Sequence, residues 1–317
     1  MTKTPKVAVV GSYNTDLMSR TPRMPGPGET ILGGPFRMGP GGKGSNQAVA
    51  AVRLGAEVAM VCRLGNDVFG DFALETLQKE GVDTRFSRRD ATKATGAALI
   101  VVDAEGENSI VVAPGANESL GPDDVNHAAD AITGADVVLT QLEIPVESVH
   151  AVLQLARASG VRTVLNPAPA RPLSDSLLEQ VDVLTPNRGE AALLTGRKID
   201  DRQGLVAAAG VLMDRGVGAV VFTLGGEGAL LVAPQETVTV PAHKVDVVDT
   251  TGAGDAFNGA LAVSLARGES LEEAVRFAVA AAALSVTKVG TAPAMPRRID
   301  VDRFLDSVLT EESYAGA

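Results

Sequence analysis

The stretch Asp249-Thr250-Thr251-Gly252-Ala253-Gly254-Asp255-Ala256-Phe257-Asn258-Gly259 sets a glycine-rich turn directly before a helix and puts a carboxylate, Asp255, in the first helical turn. The N–H groups that open a helix have no intrahelical partner, and the helix dipole adds positive potential there. Such a place stabilises an anion. A carboxylate beside an anion site suits a general base next to a phosphoryl group in transfer, chemistry that needs no P-loop lysine. The same residues also describe an ordinary glycine turn with an acidic cap. The rest of the chain has to separate the two readings.

Short β-branched runs recur upstream of this stretch, at 7–11, 58–61, 137–141, 163–166, 183–185 and 219–224. Helical patterns cover 44–54, 69–80, 146–159, 204–215, 255–266 and 271–286. Continuous apolar strands alternating with amphipathic helices predict an α/β fold, a Rossmann-like parallel sheet covered on both faces. Ser270 and Glu273 have capping-box spacing and fix the start of the last of these helices. Two segments break the alternation. Residues 13–40 are rich in Pro and Gly, and 95–114 read as a β-hairpin, 99–102 and 110–113 around a polar turn. Extra strands inserted into an α/β domain often form a flap over the site. The expected organisation is one domain over 1–309, carrying lid segments at 13–40 and 95–114, with a short flexible tail at 310–317.

Composition agrees with this. A chain of 317 residues, 45% hydrophobic, can bury a sizeable core. The net charge of −11 argues against broad contact with nucleic acid or an anionic membrane, although a local pocket of N–H groups can still bind ATP. The single cysteine, Cys62, rules out an intramolecular disulfide, fits a reducing, cytoplasmic setting, and is expected to be a small buried hydrophobe. No signal-peptide pattern opens the chain, and no apolar run reaches membrane-spanning length. His127, His150 and His243 lack metal-ligand spacing.

Other motifs carry two readings each. Gly39-Pro40-Gly41-Gly42-Lys43-Gly44 spells G-x-G-x-x-G but follows no buried strand, so it is not a dinucleotide fingerprint. It remains either a tight turn with an exposed lysine or a ligand loop in which Lys43 and Asn46 reach polar groups. Asn14 and Asp16 follow the first strand, where they can hold vicinal sugar hydroxyls or simply form an Asx turn. Asn187 and Glu190 share one face of a first helical turn, suited to phosphate and a Mg²⁺-bound water or to plain capping. Thr223 to Gly228 is locally an ordinary hairpin turn.

Taken in order, 11–16, 41–47, 166–170, 187–190, 223–228 and 249–259 resemble the ribokinase subfamily of the PfkB carbohydrate kinases across nearly the whole chain. The resemblance implies the ribokinase fold, a parallel-sheet α/β domain with a small β-sheet lid. It implies ATP-dependent phosphorylation of D-ribose at its 5-hydroxyl. Asn14, Asp16, Gly42, Lys43, Asn46 and Glu143 would hold the sugar, and Asp255 would take the proton from its hydroxyl. Gly252, Ala253 and Gly254 would form the anion hole, and Asn187 and Glu190 would organise phosphate and Mg²⁺. Thr223, Gly225, Gly226 and Gly228 would line the nucleotide site.

The resemblance also implies an activating K⁺ held around Asp249, Thr251, Ser285, Lys288 and Gly290, mostly by backbone carbonyls. Two departures stand out. Ala294 occupies a position that often bears a hydroxyl, and Val279 one that is often His near the adenine. A homodimer through paired β flaps is expected from the resemblance and from the tendency of exposed edges to pair. Deoxyribose, fructose and adenosine are the rival substrates. Asn14 beside Asp16 favours a sugar with its hydroxyls intact, and 3% aromatic content argues against stacking a purine. A non-catalytic sensor would be expected to lose Asp255 or its glycine turn, and a nicotinamide dehydrogenase would need G-x-G-x-x-G after the first strand.

Overall fold

In β1 (Lys6–Val10), Val7 and Val9 pack into one hydrophobic cluster while Ala8 and Val10 pack into a second. Successive side chains of a strand point to opposite faces, so this strand is the middle layer of a sandwich. The computed structural model describes residues 3–315. The remaining strands are β2 (Asn14–Arg20), β3 (Phe36–Gly41), β4 (Glu57–Val61), β5 (Arg63–Gly65), β6 (Arg88–Asp90), β7 (Gly96–Val102), β8 (Asn108–Ala113), β9 (Val137–Gln141), β10 (Arg162–Asn166), β11 (Val183–Leu184), β12 (Ala219–Thr223), β13 (Ala229–Ala233) and β14 (Glu236–Val240). The helices are α1 (Lys43–Arg53), α2 (Val68–Glu80), α3 (Pro122–His127), α4 (Ala129–Thr133), α5 (Val146–Ala158), α6 (Asp175–Leu178), α7 (Arg188–Thr195), α8 (Arg202–Asp214), α9 (Ala253–Ala266), α10 (Leu271–Ser285) and α11 (Arg298–Ala315).

The main sheet runs β14-β13-β12-β11-β10-β9-β1-β4. It is parallel from β4 to β12 and closes with the antiparallel strands β13 and β14. Helices α1, α2, α9 and α10 bury their apolar sides on one face, and α5 and α8 cover the other. The six strands and six helices expected from sequence are present within one to two residues at each end. The Ser270–Glu273 capping box forms, and Cys62 is buried. The glycine turn after β12 forms the hairpin read from sequence, and β13 and β14 beyond it extend the sheet. Past Leu309, where a flexible tail was expected, the backbone continues as helix α11 to Ala315; residues 316–317 lie outside the described residues.

The two segments that broke the alternation supply one four-stranded sheet, ordered β3-β2-β7-β8. Strand β2 pairs in parallel with β7, putting Asn14 opposite Gly96 and Asp16 opposite Ala98. Every residue of β8 is exposed. No helix among the described residues is long and apolar enough to cross a membrane.

Helices α1 and α9 approach closely at Gly259. A Cβ there would stand 2.6 Å from the Ala50 Cβ and 2.9 Å from the Gln47 carbonyl oxygen. Gly259→Val must therefore push the helices apart, at an expected cost of about 2–3 kcal/mol. Thermal unfolding should show a Tm lowered by roughly 2–5 °C.

Candidate active site

Strand β1 lies between β4 and β9, and the chain fills the sheet in opposite directions on its two sides. Such a switch point opens a crevice at the carboxyl ends of the strands. Strand β2, which follows β1 after a three-residue connection, delivers Asn14 and Asp16, and the loop after β9 delivers Glu143. Helices α1 and α9 point their amino ends at the same place, bringing in Lys43, Asn46 and Asp255.

Asp255 is the buried centre of the group, 6% exposed. Its Oδ2 accepts from Asn46 Nδ2 and its Oδ1 from Gln47 Nε2, each at 2.9 Å. Gln47 is itself held: its Nε2 also donates to Asn166 Oδ1 at 3.1 Å, and its Oε1 accepts from Gln141 Nε2 at 2.5 Å. Burial holds the Asp255 carboxyl above its usual range, while nearby Lys43 and the two amides pull it down and Glu143 pushes it up. The turn before it opens α9 on glycine backbone. Gly252 caps α9 with φ 79°, a left-handed conformation that favours glycine. A Cβ on Gly254 would meet no atom within 4 Å, so its position borders open space.

Asn14 and Asp16 are two apart on β2 and share one face. Burial raises the Asp16 carboxyl to about 6, with Glu143 and Asp255 adding to the rise. Glu143 Oε2 accepts from Ser12 Oγ at 2.5 Å and from the Lys43 N–H at 2.9 Å, which ties the β9 loop to the start of α1. Gly42 caps α1 with φ 87°. Lys43 stands among the carboxylates. Burial alone would lower its ammonium, but Asp255, Glu143 and Glu190 together keep it above its usual value. Glu190 on α7 is near enough to act on it electrostatically.

Asn187 and Glu190 form a reciprocal capping box on α7, with the Glu190 N–H donating to Asn187 Oδ1 and the Asn187 N–H to Glu190 Oε2, both at 2.8 Å. The capping alternative from sequence is therefore realised, with Glu190 Oε1 outside it. Burial raises the Glu190 carboxyl against the pull of the Asn187 N–H and Lys43. A bridge between Asn187 and Thr223 sets this cap beside the turn Gly225–Glu227 and Gly228. Asp249 Oδ1 accepts from the Thr251 N–H and its Oδ2 from the Gly290 N–H, each at 2.9 Å, which stitches two loops together.

Sequence and fold can now be set beside known proteins. The model of the pfkB family of carbohydrate kinases matches residues 4–298. The chain belongs to this family. It is 42% identical over 300 residues to a ribokinase of Haemophilus influenzae, covering 95% of this chain and 98% of that protein. It is 38% identical over 291 residues to a deoxyribokinase of Salmonella typhi, covering 92% and 95%. The solved structure of Arabidopsis thaliana ribokinase complexed with ribose and ATP superposes with a TM-score of 0.90 at 34% identity, covering 96% of this chain and 99% of that one.

For a pfkB-family kinase, two positions set apart in the sequence sit as follows. Val279 is buried in the core against α9, and Ala294 is buried in the 3-10 turn Ala292–Ala294. Arg53 clamps this turn, donating to the carbonyls of Ala292 at 2.9 Å and Met295 at 2.8 Å while paired with Glu80. Of the other residues expected from sequence around a monovalent cation, Ser285 is buried with its hydroxyl bonded to the Ala282 carbonyl at 2.8 Å, and Lys288 is exposed. Sequence reasoning missed Ser12, Gln47, Asn117, Gln141 and Asn166. Ser12, Gln47 and Asn166 lie inside the segments 11–16, 41–47 and 166–170 already singled out and were within reach.

Proposed function

We propose that this protein transfers the γ-phosphoryl group of ATP to the 5-hydroxyl of D-ribose, giving D-ribose 5-phosphate and ADP. The observation that carries the chemistry is Asp255: a buried carboxylate held by two amide donors at the open amino end of α9. Full-length similarity to ribokinases and to a ribokinase structure complexed with ribose and ATP supports the substrates.

A primary hydroxyl is a weak nucleophile, and a positioned base accelerates its attack by about 10²–10⁴-fold. Asp255 accepts the hydroxyl proton as the O5–P bond forms and the bond from the γ-phosphorus to the bridging oxygen breaks. ADP leaves with that bridging oxygen, and Asp255 later returns the proton to solvent. The N–H groups of Gly252, Ala253 and Gly254 would meet the developing charge on the phosphoryl oxygens, that of Ala253 leaving the Thr250 carbonyl to which it donates at 3.2 Å. Lys43 balances the local carboxylates and, with Gly42, joins the residues that hold the sugar. Asn14, Asp16, Asn46 and Glu143 bind and orient the sugar, and Thr223, Gly225, Gly226 and Gly228 line the nucleotide.

Glu190 has one carboxylate oxygen outside its cap and fits a water of a Mg²⁺ ion, with Asn187 beside it. Such an ion supplies charge neutralisation at the phosphates when bound. The loops around Asp249, Thr251, Ser285, Lys288 and Gly290 offer backbone carbonyls while the Asp249 carboxylate is already engaged. Neutral oxygen donors of this kind suit a monovalent cation such as K⁺.

The four-stranded sheet is read as a lid that excludes water, which would otherwise compete for the phosphoryl group. Its exposed Phe36, Met38, Leu99, Ile110 and Val112 and its open β8 edge suit pairing with a second copy. Sedimentation equilibrium should report a two-chain particle; a monomer at micromolar concentration contradicts this pairing.

The experiment for the function is ADP release with Mg-ATP on D-ribose, 2-deoxy-D-ribose, fructose and adenosine. Ribose is expected to give the highest kcat/KM, because Asn14 and Asp16 lie side by side to hold its hydroxyls. A higher value on another substrate moves the assignment. The same assay carries a pH prediction. Burial pushes the Asp16 carboxyl up to about 6, and its ionised form is the stronger acceptor for a sugar hydroxyl. Its pKa is raised, so protonation sets in as pH falls through that value. The kcat/KM for ribose should be level above pH 7 and decline by about tenfold per unit below pH 6. A profile level down to pH 5 contradicts the role of Asp16.

A further inference from the structure

Asn117 lies in the 3-10 turn Gly115–Ser119 that brings the chain back from β8, and it is 1% exposed. Both of its amide N–H donors and its amide oxygen are engaged. Its Oδ1 accepts from the Tyr13 N–H at 3.0 Å, and its Nδ2 donates to the Tyr13 carbonyl and to Asn14 Oδ1, each at 2.9 Å. A Cβ at Gly96 would overlap both asparagine amides, so the first residue of β7 leaves room for this contact.

The consequence falls on Asn14. Its amide oxygen is occupied, and Asn14 is 4% exposed, so the side chain has little freedom to turn. What it presents to the pocket is the NH₂ group. Two residues along the same strand face, Asp16 presents a carboxylate. The pair is then directional: one sugar hydroxyl accepts from Asn14 and its neighbour donates to Asp16.

We propose that Asn117 is a positioning residue that fixes the Asn14 amide in one of its two flips and thereby makes the pocket select a sugar bearing a hydroxyl at that point. This rests on the reading of the site as a ribose site. A sugar that lacks the hydroxyl leaves a buried N–H without a partner, and sites built to hydrogen-bond a hydroxyl reject such analogues strongly. Without Asn117 the Asn14 amide is free to turn its oxygen to the pocket, and the discrimination fades.

Asn117→Asp tests this. The new carboxylate still accepts from the Tyr13 N–H but offers no donor, so the Asn14 NH₂ turns toward it. KM is measured for D-ribose, 2-deoxy-D-ribose and 3-deoxy-D-ribose in the wild type, Asn117→Asp, Asn14→Ala and the double variant. For D-ribose, Asn117→Asp should raise KM by about tenfold or more with kcat changed by less than about threefold. For the deoxy sugar whose KM is insensitive to Asn14→Ala, Asn117→Asp should also leave KM within about twofold. In the double variant the second substitution should add nothing, because it acts through the first. Should Asn117→Asp not fold, Asn117→Ser, which lacks the amide plane, is expected to give the same KM rise. An unchanged ribose KM, or an equal rise in the Asn14→Ala background, overturns the positioning role. A wild-type protein that releases no ADP with ribose overturns the ribose reading, and this inference with it.

Discussion

Asp255→Asn is expected to lower kcat by about 10³-fold while leaving ribose binding nearly intact and the fold no less stable. The structure explains why these effects separate. Both Asp255 oxygens accept from amide NH₂ groups, so an amide in its place keeps one bond and turns an NH₂ toward the other donor. Gln47 cannot adapt, because Gln141 and Asn166 fix both ends of its amide. Asn46 can: its Oδ1 is buried with no partner among the described residues, so a flip presents an acceptor. Local geometry is thus preserved. Stability follows from linkage. The Asp255 carboxyl is raised in the folded state, so the ionised form weighs against folding as pH rises above its unfolded value near 4. A neutral amide removes that cost. Single-turnover kinetics, ribose titration and thermal unfolding on one sample check the three parts. Turnover near the wild-type level would remove Asp255 as the base.

Gly254→Val should remove nearly all ATP-dependent turnover, about 10²–10³-fold in kcat/KM for ATP, with Tm within a few degrees of wild type. A Cβ at this position meets no protein atom within 4 Å, so the folded chain accommodates it. The added methyl groups instead occupy the space at the amino end of α9 where the phosphoryl oxygens must approach the backbone. Gly254→Ala makes the same point with the opposite sign in stability, since alanine favours a helix over glycine by about 1 kcal/mol. A less active but more stable protein distinguishes a glycine kept for ligand approach from one kept for packing. Gly259, where a Cβ is blocked by Ala50 and Gln47, is the packing case on the same helix. Unchanged ATP kinetics in Gly254→Val would place the anion site elsewhere.

Much of this architecture was legible because it is written locally. The continuous apolar runs that became β1, β9, β10 and β12 are buried on both faces, and the period of the intervening helices is set by neighbours in sequence. The cap at Asn187 and Glu190 spans three residues and was readable as such. Strands β5 and β6 have three residues each, too few for a period to show. Helix α11 carries Asp and Glu along its length, which made its end read as a polar tail.

The supporting amides were illegible for a different reason. Gln47 reaches Asp255 across 208 positions, Asn117 reaches Asn14 across 103, and Gln141 reaches Gln47 across 94. A buried amide has no local pattern, because its role comes from what the fold sets beside it. The residues found from sequence are those proposed to meet the substrates; of the missed ones, Ser12, Gln47 and Asn117 bond to these candidates, and Gln141 and Asn166 bond to Gln47.

The most direct test of the central claim is the position of the new phosphate. The protein is incubated with D-ribose and Mg-ATP, and the sugar product is examined by ³¹P–¹H correlation NMR. The structure predicts a single phosphomonoester coupled to the C5 protons, formed in step with ADP and lost together with it in Asp255→Asn. A phosphate on C1, or ADP released without any phosphorylated sugar, would contradict it.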